Sequence, residues 1–214
     1  VYKKTVTVKA NWKTCLDAFM EVYHAPTIHK DTVNILLDGN AMAAGLLKNG
    51  HSRMVTPKKM NLDGGFLGAE ESDYVPYIET CDKIHAQTNV AYGMFPNFIT
   101  PTDTSGYPAI LFWPKGLKET EFEWTQLAPN WSGDEKPDYW NEQEVSFDSI
   151  MDEDFQNLEP MQRSHDSGVF ESMPLNYQER RIYYYHQVID DWIGRDNLPE
   201  NIQVPNVLDP FIEA

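Results

Sequence analysis

Between Thr88 and Pro129 three stretches dense in β-branched and aromatic residues follow one another: "TNVAYGMFPNFIT" (88–100), "YPAILFWPKG" (107–116) and "ETEFEWTQLAP" (119–129). Pro or Gly stands in or near their ends, as turns require. They predict three successive antiparallel strands. On either side the period changes. "YKKTVTVKA" (2–10) alternates charged and β-branched residues and predicts a strand with one exposed face. "NWKTCLDAFMEVYH" (11–24) repeats Trp12, Cys15 or Leu16, Phe19 and Tyr23 at helical spacing, with Asn11 as N-cap. Pro26 is expected to end or bend that helix, which leaves His24 on its last turn or just past it. "NILLDGNAMAAGLL" predicts a strand and then a turn, and residues 129–141 a polar loop. Ile150, Phe155, Leu158 and Met161 give a helix over 146–164, kinked at Pro160. Residues 174–194 give an amphipathic helix with Gly194 as C-cap, and the tail beyond it is extended. A strand, a helix, many strands and two helices fit one α+β domain, an antiparallel sheet wrapped by a terminal helix.

The chain has 214 residues, 41% hydrophobic and 23% charged, which suffices for a substantial core. No apolar run approaches the ~20 residues that cross a bilayer, so no membrane is expected. The chain does not begin with Met, and is expected to be a piece of something longer. Its net charge of −16 repels a phosphate backbone, which sets nucleic acid aside. The acidity serves solubility or docks a basic partner. Cys15 and Cys81 form no C-x-x-C or C-x-H pair, so this chain by itself cannot hold an iron–sulfur cluster. Isolated thiols of this kind point to buried hydrophobes in a reducing, cytoplasmic compartment, with a single disulfide left open.

Two of the six histidines, His24 and His29, lie five positions apart around Pro26. The break at Pro26 lets the chain turn back so that both imidazoles converge. Two neutral imidazoles still need an anionic ligand, and a face of two His and one carboxylate leaves positions open for O₂ at a non-haem iron. H-x4-H by itself fits an ordinary turn as well. Glu21 lies one helical turn before His24, where a carboxylate can accept from the non-ligating ring nitrogen and fix the tautomer.

"NWKTCLDAFMEVYHAPTIH" resembles the iron-ligand segment of the α subunit of Rieske-type ring-hydroxylating oxygenases. Asn11-Trp12-Lys13, Phe19, Glu21, His24 and His29 carry the resemblance. "DEDFQNLEPMQRS" is similar to the family's third-ligand helix, with Asp154 eight residues before Gln162-Arg163. "NYQERRIYYYHQVIDDWIG" looks like its closing helix. Ala18 and Ser164 depart from the family's Asn and Gly. The resemblance implies Fe(II) on His24, His29 and Asp154. Asp152 and Glu153 are rivals for the third place, and Asp152 points about 200° away from Asp154 on a helix.

The resemblance further implies that Glu21 bridges to the Rieske domain of a neighbouring subunit and carries the electron path. It implies a helix-grip (Bet v1-like) fold, residues 1–214 being the catalytic domain, with the [2Fe–2S] Rieske domain on a missing part or a partner subunit. NAD(P)H would supply electrons through a reductase, with or without a ferredoxin, in a homotrimer or an α3β3 assembly. An apolar, aromatic small molecule would be hydroxylated with O₂. Asp17, Phe19 and Met20 are the expected substrate contacts, with Phe19 better suited to the core than to the pocket wall. A metal-free carrier of hydrophobic ligands and a Zn²⁺ hydrolase are the competing readings. His51, His85, His165 and His186 have no partner at ligand spacing and are ordinary residues.

Overall fold

The β-rich stretches form an eight-stranded sheet in the computed structural model, which describes residues 1–59, 78, 80–170 and 172–213. The strands are β1 (Tyr2–Val8), β2 (Ala43–Leu47), β3 (Ser52–Pro57), β4 (Thr88–Met94), β5 (Phe98–Thr102), β6 (Tyr107–Gly116), β7 (Glu119–Leu127) and β8 (Ile212–Glu213). Their order is β1-β7-β6-β5-β4-β3-β2-β8. All neighbours are antiparallel except β2 and β8, where Leu46 faces Ile212 in parallel. The expectation of a wholly antiparallel sheet is therefore corrected: the tail folds back along the β2 edge and covers it. Residues 88–100 make two strands rather than one, because the chain reverses through Phe95-Pro96-Asn97. The alternation of residues 2–8 does produce a strand, paired along its whole length with β7.

The helices are α1 (Trp12–Asp17), α2 (Ala25–Ile28), α3 (Val33–Leu36), α4 (Lys83–Gln87), α5 (Asp138–Asp166) and α6 (Arg180–Ile193). Asn11 caps α1 through the Lys13 amide, as its side chain suggests. The helix then stops at Asp17, well short of His24. Phe19 and Met20 close it with tight bonds to the carbonyls of Leu16 and Asp17. Tyr23, expected on the apolar helical face, is exposed. Pro26 opens α2 instead of ending α1, which suits a residue with no N–H to offer. Where a strand and then a turn are expected over 34–47, the chain instead completes α3, passes through a 3-10 turn and then forms β2.

One helix, α5, starts eight residues earlier than its apolar spacing indicates and runs through Pro160 to Asp166. Pro160 is exposed, and so is Gln156, whose carbonyl loses its helical donor there to solvent. Gly194 ends α6 with φ 86°, a backbone conformation that glycine adopts without strain. Met151 and Leu158 of α5 and Ile182, Tyr185 and Ile189 of α6 pack with Ile99, Ile110, Phe112, Phe122 and Trp124 of the sheet. The result is α+β, with a large mixed sheet and helices on one face. No helix among the described residues is long and apolar enough to cross a membrane. Cys15 and Cys81 are both free thiols.

Candidate metal centre

The loop after α1 and the middle of α5 meet at one place. His24 is the residue before α2, and His29 ends it, so a single short helical turn separates the two imidazoles. Their ring centroids lie 5.1 Å apart. Asp154 approaches from α5. His29 Nε2 lies 3.1 Å and His24 Nε2 3.7 Å from Asp154 Oδ1. One ligand atom from each of the three residues falls within 4.8 Å of the others. Three atoms on one face of an octahedral metal, each about 2.1 Å from it, sit about 3 Å apart. The His29–Asp154 contact is at that spacing, and the other separations, 3.7 Å for His24 to Asp154 and none above 4.8 Å, are looser.

The outer nitrogens are also held. His24 Nδ1 lies 2.5 Å from Glu21 Oε1, and His29 Nδ1 lies 2.7 Å from Glu153 Oε2. With each Nδ1–H donated to a carboxylate, both Nε2 lone pairs face the centre. Thr32 donates its hydroxyl to the same Glu153 oxygen at 2.7 Å. Glu21 and His24 do not reach each other across a helical turn as expected, for no helix exists there. Instead the Glu21 carboxylate turns back onto the amides of Tyr23 and His24, and this places it beside the ring. Asp152 is exposed and faces away, as helical phase requires, while Asp154 is buried. Glu153, the other rival ligand, supports His29 from outside.

Burial pulls the His29 imidazolium toward a lower pKa. The hydrogen bonds and charges of Asp154 and Glu153 outweigh burial, and the net effect is above the ordinary 6.5. Burial pushes the Glu153 carboxyl up, but the bonds from His29 and Thr32 hold it below its ordinary value. A buried His29 and a half-buried His24 among three carboxylates are thus suited to a cation, a proton or a metal. The donor set of two nitrogens and one oxygen fits a borderline divalent ion such as Fe(II) or Zn²⁺.

Beside the trio lies a cavity of about 120 Å³. Helical spacing on α5 sends Phe147, Ile150, Met151 and Asp154 to it. Alternation on the strands sends Met54 and Thr56, Asn89 and Ala91, and Ile99 and Pro101 to it. Phe19 lines this cavity and also stacks edge-on against Phe112 at 5.4 Å. Asp17 and Met20, the other expected substrate contacts, are not brought to it. Asp17 lies in a separate cleft, where His186 Nε2 sits 2.9 Å from its carboxylate. Met20 is buried, its sulfur 4.0 Å from the Ser52 hydroxyl. Asp17 is the last residue of α1 and faces α6, while Met20 lies past the helix end and packs under Arg181.

Arg181 was not marked by any motif. It is fully buried with no carboxylate paired to it among the described residues. Its guanidinium donates to Ser52 Oγ at 3.0 Å, the Met20 carbonyl at 3.0 Å and the Ala91 carbonyl at 3.2 Å. It pins the residue before Glu21 to the sheet.

A sequence model of the ring-hydroxylating alpha subunit catalytic domain matches residues 1–195. No curated protein matches the chain. Among solved structures, it is similar to the quaternary ammonium Rieske monooxygenase CntA in complex with L-carnitine, at TM-score 0.66 and 14% identity over 91% of this chain and 49% of that one. Naphthalene 1,2-dioxygenase from Rhodococcus sp. gives TM-score 0.58 and 15% identity over 90% and 55%. Dicamba monooxygenase gives TM-score 0.53 and 9% identity over 88% and 57%. The chain therefore spans about half the length of these solved relatives.

Proposed function

The chain belongs to the ring-hydroxylating alpha subunit family, as its catalytic domain, and from that membership we propose that it is the oxygen-activating half of a Rieske-type non-haem iron oxygenase. The observation that carries this is the convergence of His24 Nε2, His29 Nε2 and an Asp154 oxygen, with both outer ring nitrogens tied to carboxylates. His24, His29 and Asp154 would hold Fe(II), the histidines as neutral ligands and Asp154 offsetting one of the two metal charges, and the ion would supply the O₂ activation that side chains cannot perform. Glu21 and Glu153 fix the ring orientations. Phe147, Met151 and the sheet residues around them exclude water from the reacting carbon.

Glu21, bonded to His24 near the surface end of the loop, is the contact for the Rieske domain of a neighbouring subunit. A [2Fe–2S] cluster there would supply electrons drawn from NAD(P)H through a reductase, with or without a ferredoxin. The assembly is a homotrimer or α3β3 in the cytoplasm, and the sheet around the helices is of the helix-grip kind. The apolar cavity lining supports an apolar substrate, aromatic by the family's habit; carnitine in one similar structure belongs to that protein. A metal-free carrier has no use for three convergent ligand atoms.

The test is the iron content of anaerobically purified chain beside Asp154→Ala, followed by the electron paramagnetic resonance spectrum with nitric oxide. About one iron per chain with a high-spin nitrosyl signal, both lost in the variant, is expected. No iron uptake on reconstitution would reject the oxygenase reading in favour of a ligand carrier. Stoichiometric zinc without a nitrosyl signal would point to a hydrolase.

A further inference from the structure

The cavity beside the triad carries polar groups that the metal does not use. Thr56 on β3 and Asn89 on β4 are direct cross-strand partners, and both line the cavity. Thr56 is 1% exposed. Its hydroxyl makes no hydrogen bond to another described residue and is not among the fully enclosed unpaired polar atoms, so it opens onto the cavity. A hydroxyl facing a cavity is completed there by a ligand or a water. The Asn89 amide NH₂ donates to the Thr102 carbonyl at 3.2 Å, which leaves its oxygen without a donor among the described residues. The two side chains together therefore offer one donor-acceptor and one acceptor, side by side on the sheet.

A ligand hydroxyl fits that pair. It can donate to the Asn89 oxygen and accept from Thr56. A carboxylate does not fit, because Asn89 presents an acceptor. No Lys or Arg lines the cavity among the described residues, and Asp154 and Glu21 add negative charge to it. An apolar cavity of about 150 Å³ holds one benzene ring, so the inner space of about 120 Å³ is of the order of one ring, while the open mouth leaves room for a ligand to extend outward.

We propose that Thr56 and Asn89 form a polar anchor that selects a neutral substrate bearing a hydroxyl on the ring it places in the cavity, and holds that ring beside the metal. This inference rests on the oxygenase reading for its consequence, but not for its binding geometry. The anchor and the triad lie on opposite partners, the sheet and α5 with its loop, so a bound ring is gripped at the hydroxyl and presents another carbon to the metal.

The test compares phenol with toluene, in which a methyl replaces the hydroxyl, and with benzoate. Affinities are read by calorimetry on the iron-loaded chain without O₂, and again on metal-free chain. Phenol is expected to bind about tenfold tighter than toluene, with benzoate weakest. Thr56→Val, which keeps the shape, is expected to remove the phenol preference and leave toluene affinity unchanged. Its Tm without ligand is expected to be unchanged or higher, since the fold makes no use of that hydroxyl. Asn89→Leu tests the acceptor in the same way. A phenol preference that survives Thr56→Val, a lower Tm for that variant, tighter binding of benzoate, or no binding of any probe would each overturn the proposal. A wild type that binds no iron but still prefers phenol would sink the oxygenase reading alone and leave the anchor standing.

Discussion

At the residue scale the site depends on carboxylates that do not touch the metal position. Glu153 is 2.7 Å from His29 Nδ1 and receives the Thr32 hydroxyl as well. Glu153→Gln keeps the size and removes the charge that aligns His29. Iron affinity, measured by chelator competition, is expected to fall about 10- to 100-fold, while unfolding in urea changes little. The two histidines and Asp154 are legible in the sequence through the resemblance of their segments to a family's ligand segments, since H-x4-H by itself fits an ordinary turn. Glu153 was legible only as a rival of Asp154. Adjacent helical residues point about 100° apart, so both can act on one imidazole from different sides. That needs the position of His29, which no local spacing supplies. The cysteines give a second residue-scale prediction. Burial pushes the Cys15 thiol up to about 12, while Cys81 is only half-buried. At pH 8 a thiol reagent is expected to modify Cys81 in the native chain and Cys15 only after denaturant is added.

At the scale of elements, α6 does more than close the core. Arg181 leaves α6 to bond the carbonyls of Met20 and Ala91 and the Ser52 hydroxyl, joining the ligand loop to β3 and β4. Gly93 makes the space: a Cβ there would sit 2.9 Å from Ser52 Oγ and 3.1 Å from the guanidinium. Burial alone lowers the Arg181 pKa to about 9, the mark of a charge stabilised by dipoles and not by a counter-ion. Arg181→Met preserves most of the volume and removes three bonds. Bonds to a charged donor contribute ~1.5–3 kcal/mol each, and relief of the buried charge offsets part of the sum. A net loss of about 2–4 kcal/mol in urea unfolding is expected, with reduced iron occupancy because the loop ahead of Glu21 loses its tether. The same contacts explain why the element boundaries were misread. Helical spacing continues to Tyr23, yet Phe19 gains more by entering the aromatic core, and the Met20 carbonyl takes a guanidinium in place of a helical donor. Tertiary bonds overrode local periodicity there. In the strands, where alternation and burial agree, the sequence reading held for β1, β6 and β7.

At the scale of the whole molecule, the candidate centre ties together segments about 125 residues apart. His24 and His29 hang from a loop at the start of the chain, and Asp154 sits mid-way along a 29-residue helix. The chain carries a net charge of −16, and Glu21, Glu153 and Asp154 add three carboxylates at one point. A divalent ion there cross-links the two segments and reduces their mutual repulsion, and the unfolded chain has no equivalent site. The ion's binding energy then appears as folding stability. At a free concentration 100 times its Kd that is ~2.7 kcal/mol. For a domain of this size each kcal/mol moves Tm by roughly 2–4 °C. Adding Fe(II) without O₂ is therefore expected to raise Tm by about 5–10 °C, and a chelator in excess is expected to return it. Asp154→Ala should show no rise. A Tm indifferent to metal in the wild type would mean that the convergence of the three side chains serves the fold by its own hydrogen bonds, with His29 as an imidazolium between Asp154 and Glu153. The variant separates the two cases even in metal-free solution. If those bonds carry the fold, Asp154→Ala lowers Tm by leaving a buried imidazolium with one partner. If the site is built for a metal, removing one of three crowded carboxylates leaves the metal-free Tm unchanged or higher.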